Sequence, residues 1–173
     1  MLIEQRGRIF KLKIPRSLKL IYVHGKGVGL FADKRLKKGG AVTRFRADIV
    51  PCSQASREAV RISERYCYDT RWLTAEAFIN HSCNPNTRLD VAAKSYVAVK
   101  AIAKNEEITF NYLTTEWDAR DEAFECRCGS RNCYGWIRGL KYLSRKAQGA
   151  LRPQLLSFLV RTLDTFIHNR RKR

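Results

Sequence analysis

Three cysteines within eight residues, Cys126-x-Cys128-x4-Cys133, constrain this 173-residue chain more than any other feature. Gly129 and Asn132 lie inside the loop, so three soft ligands share one tight turn. A structural zinc ion takes four thiolate or imidazole ligands in a tetrahedron, so one more must arrive from a distant segment. Cys83, inside Asn80-His-Ser-Cys-Asn-Pro-Asn86, is the best fourth ligand, and His81, Cys52 and Cys67 are poorer ones. One zinc bound this way pins residues 126–133 onto the loop at 80–86.

The six cysteines are not spread as a disulfide framework would be, and their clustering reads as metal ligation. Cys52 and Cys67 are expected to be small buried hydrophobes rather than nucleophiles. The start, MLIEQRGRIFKLKIPR, interrupts every apolar pair with charge, and no segment approaches the roughly 18 uncharged residues of a membrane span. An intracellular location is expected, with nucleus, nucleoid and cytoplasm not distinguished.

Lys and Arg number 34 against 16 Asp and Glu, a formal net charge of +18. Residues 1–46 carry 13 cations against Glu4 and Asp33, residues 141–173 carry 9 against Asp164, and residues 47–140 are close to neutral. The excess therefore sits at the two ends. Such ends favour anionic partners, with DNA or another polyanion first, while saying nothing of the fold. With 45% hydrophobic residues, disorder is excluded and one globular domain is expected.

Leu18, Leu20 and Tyr22, and earlier Phe10, Leu12 and Ile14, alternate with polar residues between Gly and Pro punctuation, which predicts short strands. Ser95–Val99 and Glu107–Tyr112 read as two more strands around a turn at 103–106, whereas Ser53–Glu64 is helix-tolerant. Leu155, Leu159, Val160, Leu163, Phe166 and Ile167 recur three or four apart after Pro153, predicting an amphipathic helix that ends in Arg170-Arg-Lys-Arg173.

Lys26-Gly-Val-Gly-Leu-Phe-Ala32 places two glycines in a turn where backbone can approach a ligand closely. It lacks the third glycine and following helix of a dinucleotide site. Phe78-Ile-Asn-His-Ser-Cys-Asn-Pro-Asn86 sets polar and ligating side chains between apolar flanks, an expensive arrangement unless the loop has a task.

Together with Glu106-Glu-Ile-Thr-Phe-Asn-Tyr112 and Cys126-Arg-Cys-Gly-Ser-Arg-Asn-Cys133, these segments resemble, in order and spacing, the SET-domain protein-lysine methyltransferases with a post-SET zinc motif. The resemblance covers about residues 20–138. It implies a mainly β fold with short helices, in which small curved sheets enclose a pseudoknot of the 80–86 loop and the strand ending at Tyr112. A C-terminal amphipathic helix follows. The implied divisions are residues 1–19, a basic strand segment; 20–115, the SET domain; 116–140, the post-SET zinc segment; and 141–173, the basic helix.

The implied activity is transfer of a methyl group from S-adenosyl-L-methionine to a lysine of a histone or histone-like protein. The alternative is an inactive SET-like module that binds nucleic acid or chromatin through its basic ends. By the resemblance Tyr112 is catalytic, and Lys26, Gly27, Val28, Gly29, Asn80 and His81 hold the cofactor with Phe124 and Trp136 closing over it. Phe45, Phe110 and Tyr112 line the lysine channel, and Cys83, Cys126, Cys128 and Cys133 hold the zinc. Two departures stand out: Arg44-Phe-Arg-Ala47 replaces the usual Glu-Tyr-x-Gly, and Asn111 replaces the usual Asp. Phenyl rings at Phe45 and Phe110 leave room for methylation beyond the first methyl group.

Overall fold

The computed structural model describes residues 2–5, 8–44, 47–56, 59–69 and 74–172. Phe45 therefore lies outside the described residues. The strands in order are β1 (Leu2–Gln5), β2 (Arg8–Lys11), β3 (Leu18–Val23), β4 (Gly27–Ala32), β5 (Ala41–Arg44), β6 (Asp48–Pro51), β7 (Val60–Arg61), β8 (Tyr66–Asp69), β9 (Asn80–His81), β10 (Thr87–Asp90), β11 (Ser95–Ala98), β12 (Thr109–Phe110), β13 (Phe124–Glu125) and β14 (Trp136–Ile137). Two helices close the chain, α1 (Arg145–Leu151) and α2 (Ser157–Arg171).

The strands form small sheets, as the alternating short runs require. β1 pairs with β2 and β3 with β4; β10-β11-β5 and β6-β8-β7 are three-stranded antiparallel sheets. The exception in direction is β9 with β12, which run parallel with Asn80 opposite Thr109 and Phe110 opposite His81. Parallel partners need a long connection, and the 27 residues between them include the sheet of β10 and β11. The 82–86 loop is fixed against β12 by side chains: Asn86 accepts from the Thr109 N–H at 2.9 Å and donates to the Glu107 carbonyl at 2.7 Å. Thr87 donates to the Thr109 carbonyl at 2.8 Å.

Two apolar clusters result. The first gathers Leu30, Ile79, Tyr96, Ile102 and Ile108 between the sheets. The second gathers Leu113, Ile137, Leu140, Leu151, Phe158, Leu159 and Leu163, so the C-terminal helices pack on the segment after β12. Tyr112 and Leu156 touch both clusters. Gly139 is required where the chain after β14 crosses residue 117: at φ +112°, a Cβ would lie 2.5 Å from the Trp117 carbonyl oxygen.

Three expectations are corrected. Ser53–Glu64 contains no α-helix among its described residues; a single 3-10 turn at Cys52–Gln54 precedes β7. The C-terminal segment holds two helices rather than one: Pro153 belongs to a 3-10 turn at Arg152–Gln154, and α2 starts at Ser157. Ser144 starts α1 by accepting a hydrogen bond from the Ala147 N–H. Finally, Cys52 and Cys67 form a disulfide. Antiparallel pairing of β6 with β8 sets Pro51 opposite Tyr66, and the Cys52 N–H donates to the Arg65 carbonyl. That register brings the two Cα atoms to 5.2 Å, well within bonding range.

Candidate functional site

The parallel pair β9–β12 sets Asn80, His81 and Tyr112 side by side at the meeting point of the two apolar clusters. His81 is buried, and desolvation together with the Lys26 charge lowers its pKa to about 4. The neutral ring uses both nitrogens. Nδ1 accepts from the Tyr112 N–H at 3.2 Å, so Nε2 carries the proton and faces Cys83 Sγ at 3.3 Å. This one imidazole links the tyrosine's backbone to the cysteine cluster.

Tyr112 lies at the start of a 3-10 turn, Tyr112–Thr114, whose first N–H groups are capped when the Asn111 side chain accepts from Leu113 N–H at 3.0 Å. The Tyr112 hydroxyl donates to the Ile79 carbonyl at 2.9 Å. Burial, and next the Glu107 charge, push the phenol up to about 12, so it stays protonated near neutrality. With its proton committed to Ile79, the oxygen offers lone pairs to anything entering the site.

Two cavities meet at this tyrosine. One, of about 330 Å³, is lined by Gly25, Lys26, Asn80, His81, Phe124 and Arg127, with Tyr112 at its floor. Its anchor is Glu107, which accepts from Asn80 Nδ2 at 2.8 Å and from Lys26 Nζ at 3.0 Å. Gly29 sits against that pair: a Cβ there would lie 2.9 Å from both Asn80 Nδ2 and Glu107 Oε1. The other cavity, of about 320 Å³, has an aromatic wall of Tyr96, Phe110, Tyr112 and Phe124. Successive ring centroids are 5.0, 4.8 and 6.1 Å apart. Glu76, Glu116 and Glu122 also line it, and among the described residues no lysine or arginine does.

Glu116 is half-buried in that wall, and burial raises its pKa to about 7, against an opposing pull from Arg61. Its folded-state pKa exceeds the unfolded value, so the native protein binds the extra proton. Stability therefore falls as pH rises from about 4.5 to 7 and then levels. Glu116→Gln is expected to be more stable than the parent at pH 8 by about 1–2 kcal/mol, discounted for partial solvent access, and equal to it at pH 4. Urea midpoints at the two pH values measure this; parallel pH profiles for the two proteins would count against it.

The four sulfurs of Cys83, Cys126, Cys128 and Cys133 lie within 4.8 Å of one another. Tetrahedral zinc with Zn–S bonds of about 2.3 Å spaces its sulfurs by about 3.8 Å, and Cys83 and Cys126 are 3.8 Å apart. Backbone N–H groups of Tyr134 and Gly135 donate to Cys83 and Cys133 at 3.4 Å, the support expected around metal-bound thiolates. Burial pushes the Cys83 thiol up and that of Cys126 to about 11, so these two ionise only around a cation, whereas at Cys128 desolvation is outweighed by hydrogen bonds, from Ser130 first, which lower the thiol to about 6. The residues fit zinc, and neither His81 nor the bonded pair Cys52 and Cys67 is among them.

Of the predicted cofactor residues, Lys26, Asn80, His81 and Phe124 line the first cavity, and Gly29 underlies its anchor. Gly27 (φ +83°) shapes the turn before it, and Val28 is 40% exposed outside the lining. Trp136 is not brought there. In the register Phe124 opposite Ile137 and Glu125 opposite Trp136, side chains alternate between faces, so Phe124 turns inward and Trp136, 59% exposed, outward beside Arg120 and Arg138. Sequence reasoning missed Glu107, Tyr96 and Glu116. Tyr96 supplies a second phenol to the wall that the Phe110 ring alone would leave bare.

A family model described as "SET domain" matches residues 27–113. The chain belongs to the SET-domain family. Among curated relatives, histone-lysine N-methyltransferase EHMT1 of Mus musculus is 26% identical over 169 residues, covering 86% of this chain and 13% of that protein. An H3 lysine-36-specific histone-lysine N-methyltransferase of Debaryomyces hansenii is 40% identical over 156 residues, covering 75% of this chain and 20% of that protein. The chain thus spans about a fifth or less of the length of these two relatives. Among solved structures, KRYPTONITE in complex with mCHG DNA and SAH superposes with a TM-score of 0.58 at 20% identity, over 69% of this chain and 28% of that one. The small antiparallel sheets around β9 and β12 are therefore the SET fold. No helix of the described residues is long and apolar enough to cross a membrane.

Proposed function

We propose that this SET-domain protein is a protein-lysine N-methyltransferase that modifies a histone or histone-like protein using S-adenosyl-L-methionine. The observation that carries this reading is the pair of cavities meeting at the Tyr112 hydroxyl, one polar and anchored, the other aromatic and acidic. S-adenosyl-L-methionine supplies a methyl group activated by a positive sulfonium. The first cavity holds it through Lys26, Asn80 and His81, with Phe124 over it and the Arg127 cation available to its carboxylate. The second admits the substrate lysine, and Cys83, Cys126, Cys128 and Cys133 carry one structural zinc.

The substrate amine must lose a proton, since free lysine has a pKa of about 10.4. Apolar aromatic walls disfavour the ammonium inside the channel, and the Glu76 and Glu116 carboxylates draw the cation to its mouth. The Tyr112 oxygen then accepts from the remaining amine N–H, aiming the nitrogen lone pair at the methyl carbon. The N–C bond forms as the C–S bond breaks, and the displaced proton leaves to water. Orientation of this kind supplies much of the rate. The acidic wall also explains how a chain of net charge +18 accepts a cationic substrate. The basic chain ends meet DNA or another polyanion that accompanies the substrate.

The test is incubation with labelled S-adenosyl-L-methionine and histones, nucleosomes and a cell extract. Label on protein lysine supports the reading, with mass spectrometry counting methyl groups; no transfer to any substrate favours a binding module. A second expectation isolates cofactor binding. Gly29→Ala forces its Cβ into the Asn80–Glu107 pair, so calorimetric affinity for S-adenosyl-L-methionine should fall tenfold or more, about 1.4 kcal/mol. Unchanged affinity would place the cofactor elsewhere.

A further inference from the structure

The polyanion reading assigned the cationic excess to the chain ends. The fold gathers four of the N-terminal cations with two from the middle of the chain into one ridge. Residues 33–40, after β4, lie along residues 98–105, after β11. Leu36 and Ile102 exchange backbone hydrogen bonds at 2.9 and 3.0 Å, the Gly39 N–H donates to the Ala98 carbonyl at 2.8 Å, and the Asn105 N–H to the Ala32 carbonyl at 2.8 Å. Ile102 is fully buried and Leu36 packs against the first apolar cluster, so the pairing is anchored from below. What points outward is cationic: Lys34, Arg35, Lys37, Lys38, Lys100 and Lys104 are all exposed.

None of these six side chains has a hydrogen bond or ion pair among the described residues. The acids nearby are already engaged. Asp33 pairs with Lys19 at 3.1 Å, and Glu106 accepts from Asn86 Nδ2 at 3.0 Å and from the Ala103 N–H at 2.9 Å. Six like charges held on one support repel one another, a repulsion that salt screens in part and a bound polyanion relieves. A protein partner would need an apolar centre, whereas the long exposed side chains of this ridge are five lysines and one arginine, with Val99 the one large exposed apolar group beside them. Lysine is a compact point charge suited to phosphates rather than to forked recognition of base edges.

We infer that this ridge binds the phosphate backbone of duplex DNA without sequence preference. The inference deepens the polyanion reading and rests on it, but it does not require methyl transfer. The ridge lies beyond β4 from the cofactor cavity, about 20 Å away along a six-residue strand, so bound DNA leaves that cavity open. DNA held there would bring a histone-type substrate to the second cavity despite the chain's positive charge.

The test is anisotropy titration of a short labelled duplex DNA at several salt concentrations, with no cofactor present. The parent protein should show log affinity falling against log salt with a slope of about −4 to −5. A variant carrying K34E, K37E, K38E and K100E should bind at least tenfold more weakly at moderate salt, with a slope shallower by about three. It should still methylate a free histone peptide at the parent rate while losing preference for nucleosomes. A comparison variant carrying R170E and K172E at the C-terminus should lose less affinity than the ridge variant does. Weakening by the comparison variant but not by the ridge variant would overturn the ridge and keep the polyanion reading. Absence of DNA binding by the parent would overturn both, and equal competition by poly-glutamate would assign the ridge to an acidic protein.

Discussion

Replacing Tyr112 by phenylalanine is expected to lower kcat for lysine methylation by about 100- to 1,000-fold, with little change in the KM for the peptide. The ring's packing against Phe110 and Phe124 survives, since those contacts use the ring and not the oxygen. What disappears is one hydroxyl whose proton is held by the Ile79 carbonyl at 2.9 Å and whose lone pairs, in the proposed mechanism, orient the amine. Loss of the bond to Ile79 leaves a carbonyl short of a partner, costing about 1 kcal/mol of stability. Thermal melting of the variant with and without S-adenosyl-L-methionine separates that cost from catalysis: the ligand should stabilise both proteins equally. A variant with parental kcat would remove Tyr112 from the catalytic role.

Removing the metal should have the other large effect. Zinc content is expected to be about one ion per chain and to fall to near zero in Cys128→Ser or after chelation, with methylation lost by a hundredfold or more. The four sulfurs join the 80–86 loop to the chain at 126–133, and no other cross-link ties those two segments. Without the ion, four sulfurs crowd within 4.8 Å of one another, with the thiols of Cys83 and Cys126 pushed up by burial. Phe124 then leaves the wall it shares between both cavities. The SET sheets, whose cluster lies elsewhere, should keep their far-ultraviolet circular dichroism. Unchanged metal content in the variant would refute the ligand set.

Much of this site was legible because it depends on residue types at fixed local spacing. The cysteine cluster and the loop holding Asn80 and His81 sit in segments whose composition is costly without a purpose, Tyr112 was singled out by the family resemblance, and the strands at 18–23 and 95–98 follow from alternation alone. Features set by register were hidden. The disulfide between Cys52 and Cys67 depends on how β6 pairs with β8, and nothing in 15 residues of separation announces it. Trp136 and Phe124 look equivalent beside the zinc cluster until the pairing of β13 with β14 sends them to opposite faces. Glu116 reads as a surface acid, because its burial comes from distant elements that reach the segment after β12. Helix α1 is seven residues long with Gly149 inside it, too short for periodicity to reveal, although Ser144 at its cap was a signal.

Tyr112 and Leu156 belong to both apolar clusters, and this has a bearing on how the protein would fail. The reactive centre is a seam between two bodies rather than a feature of either. The outer body consists of the cysteine-bearing segment and the two C-terminal helices; its undocking would dissolve the seam while the inner sheets stood intact. Catalytic competence would then report the joining of the halves. Lesions far from the proposed chemistry, such as a polar residue in place of Leu159 or Leu163, would abolish methyl transfer as an assembly defect with the inner sheets still formed.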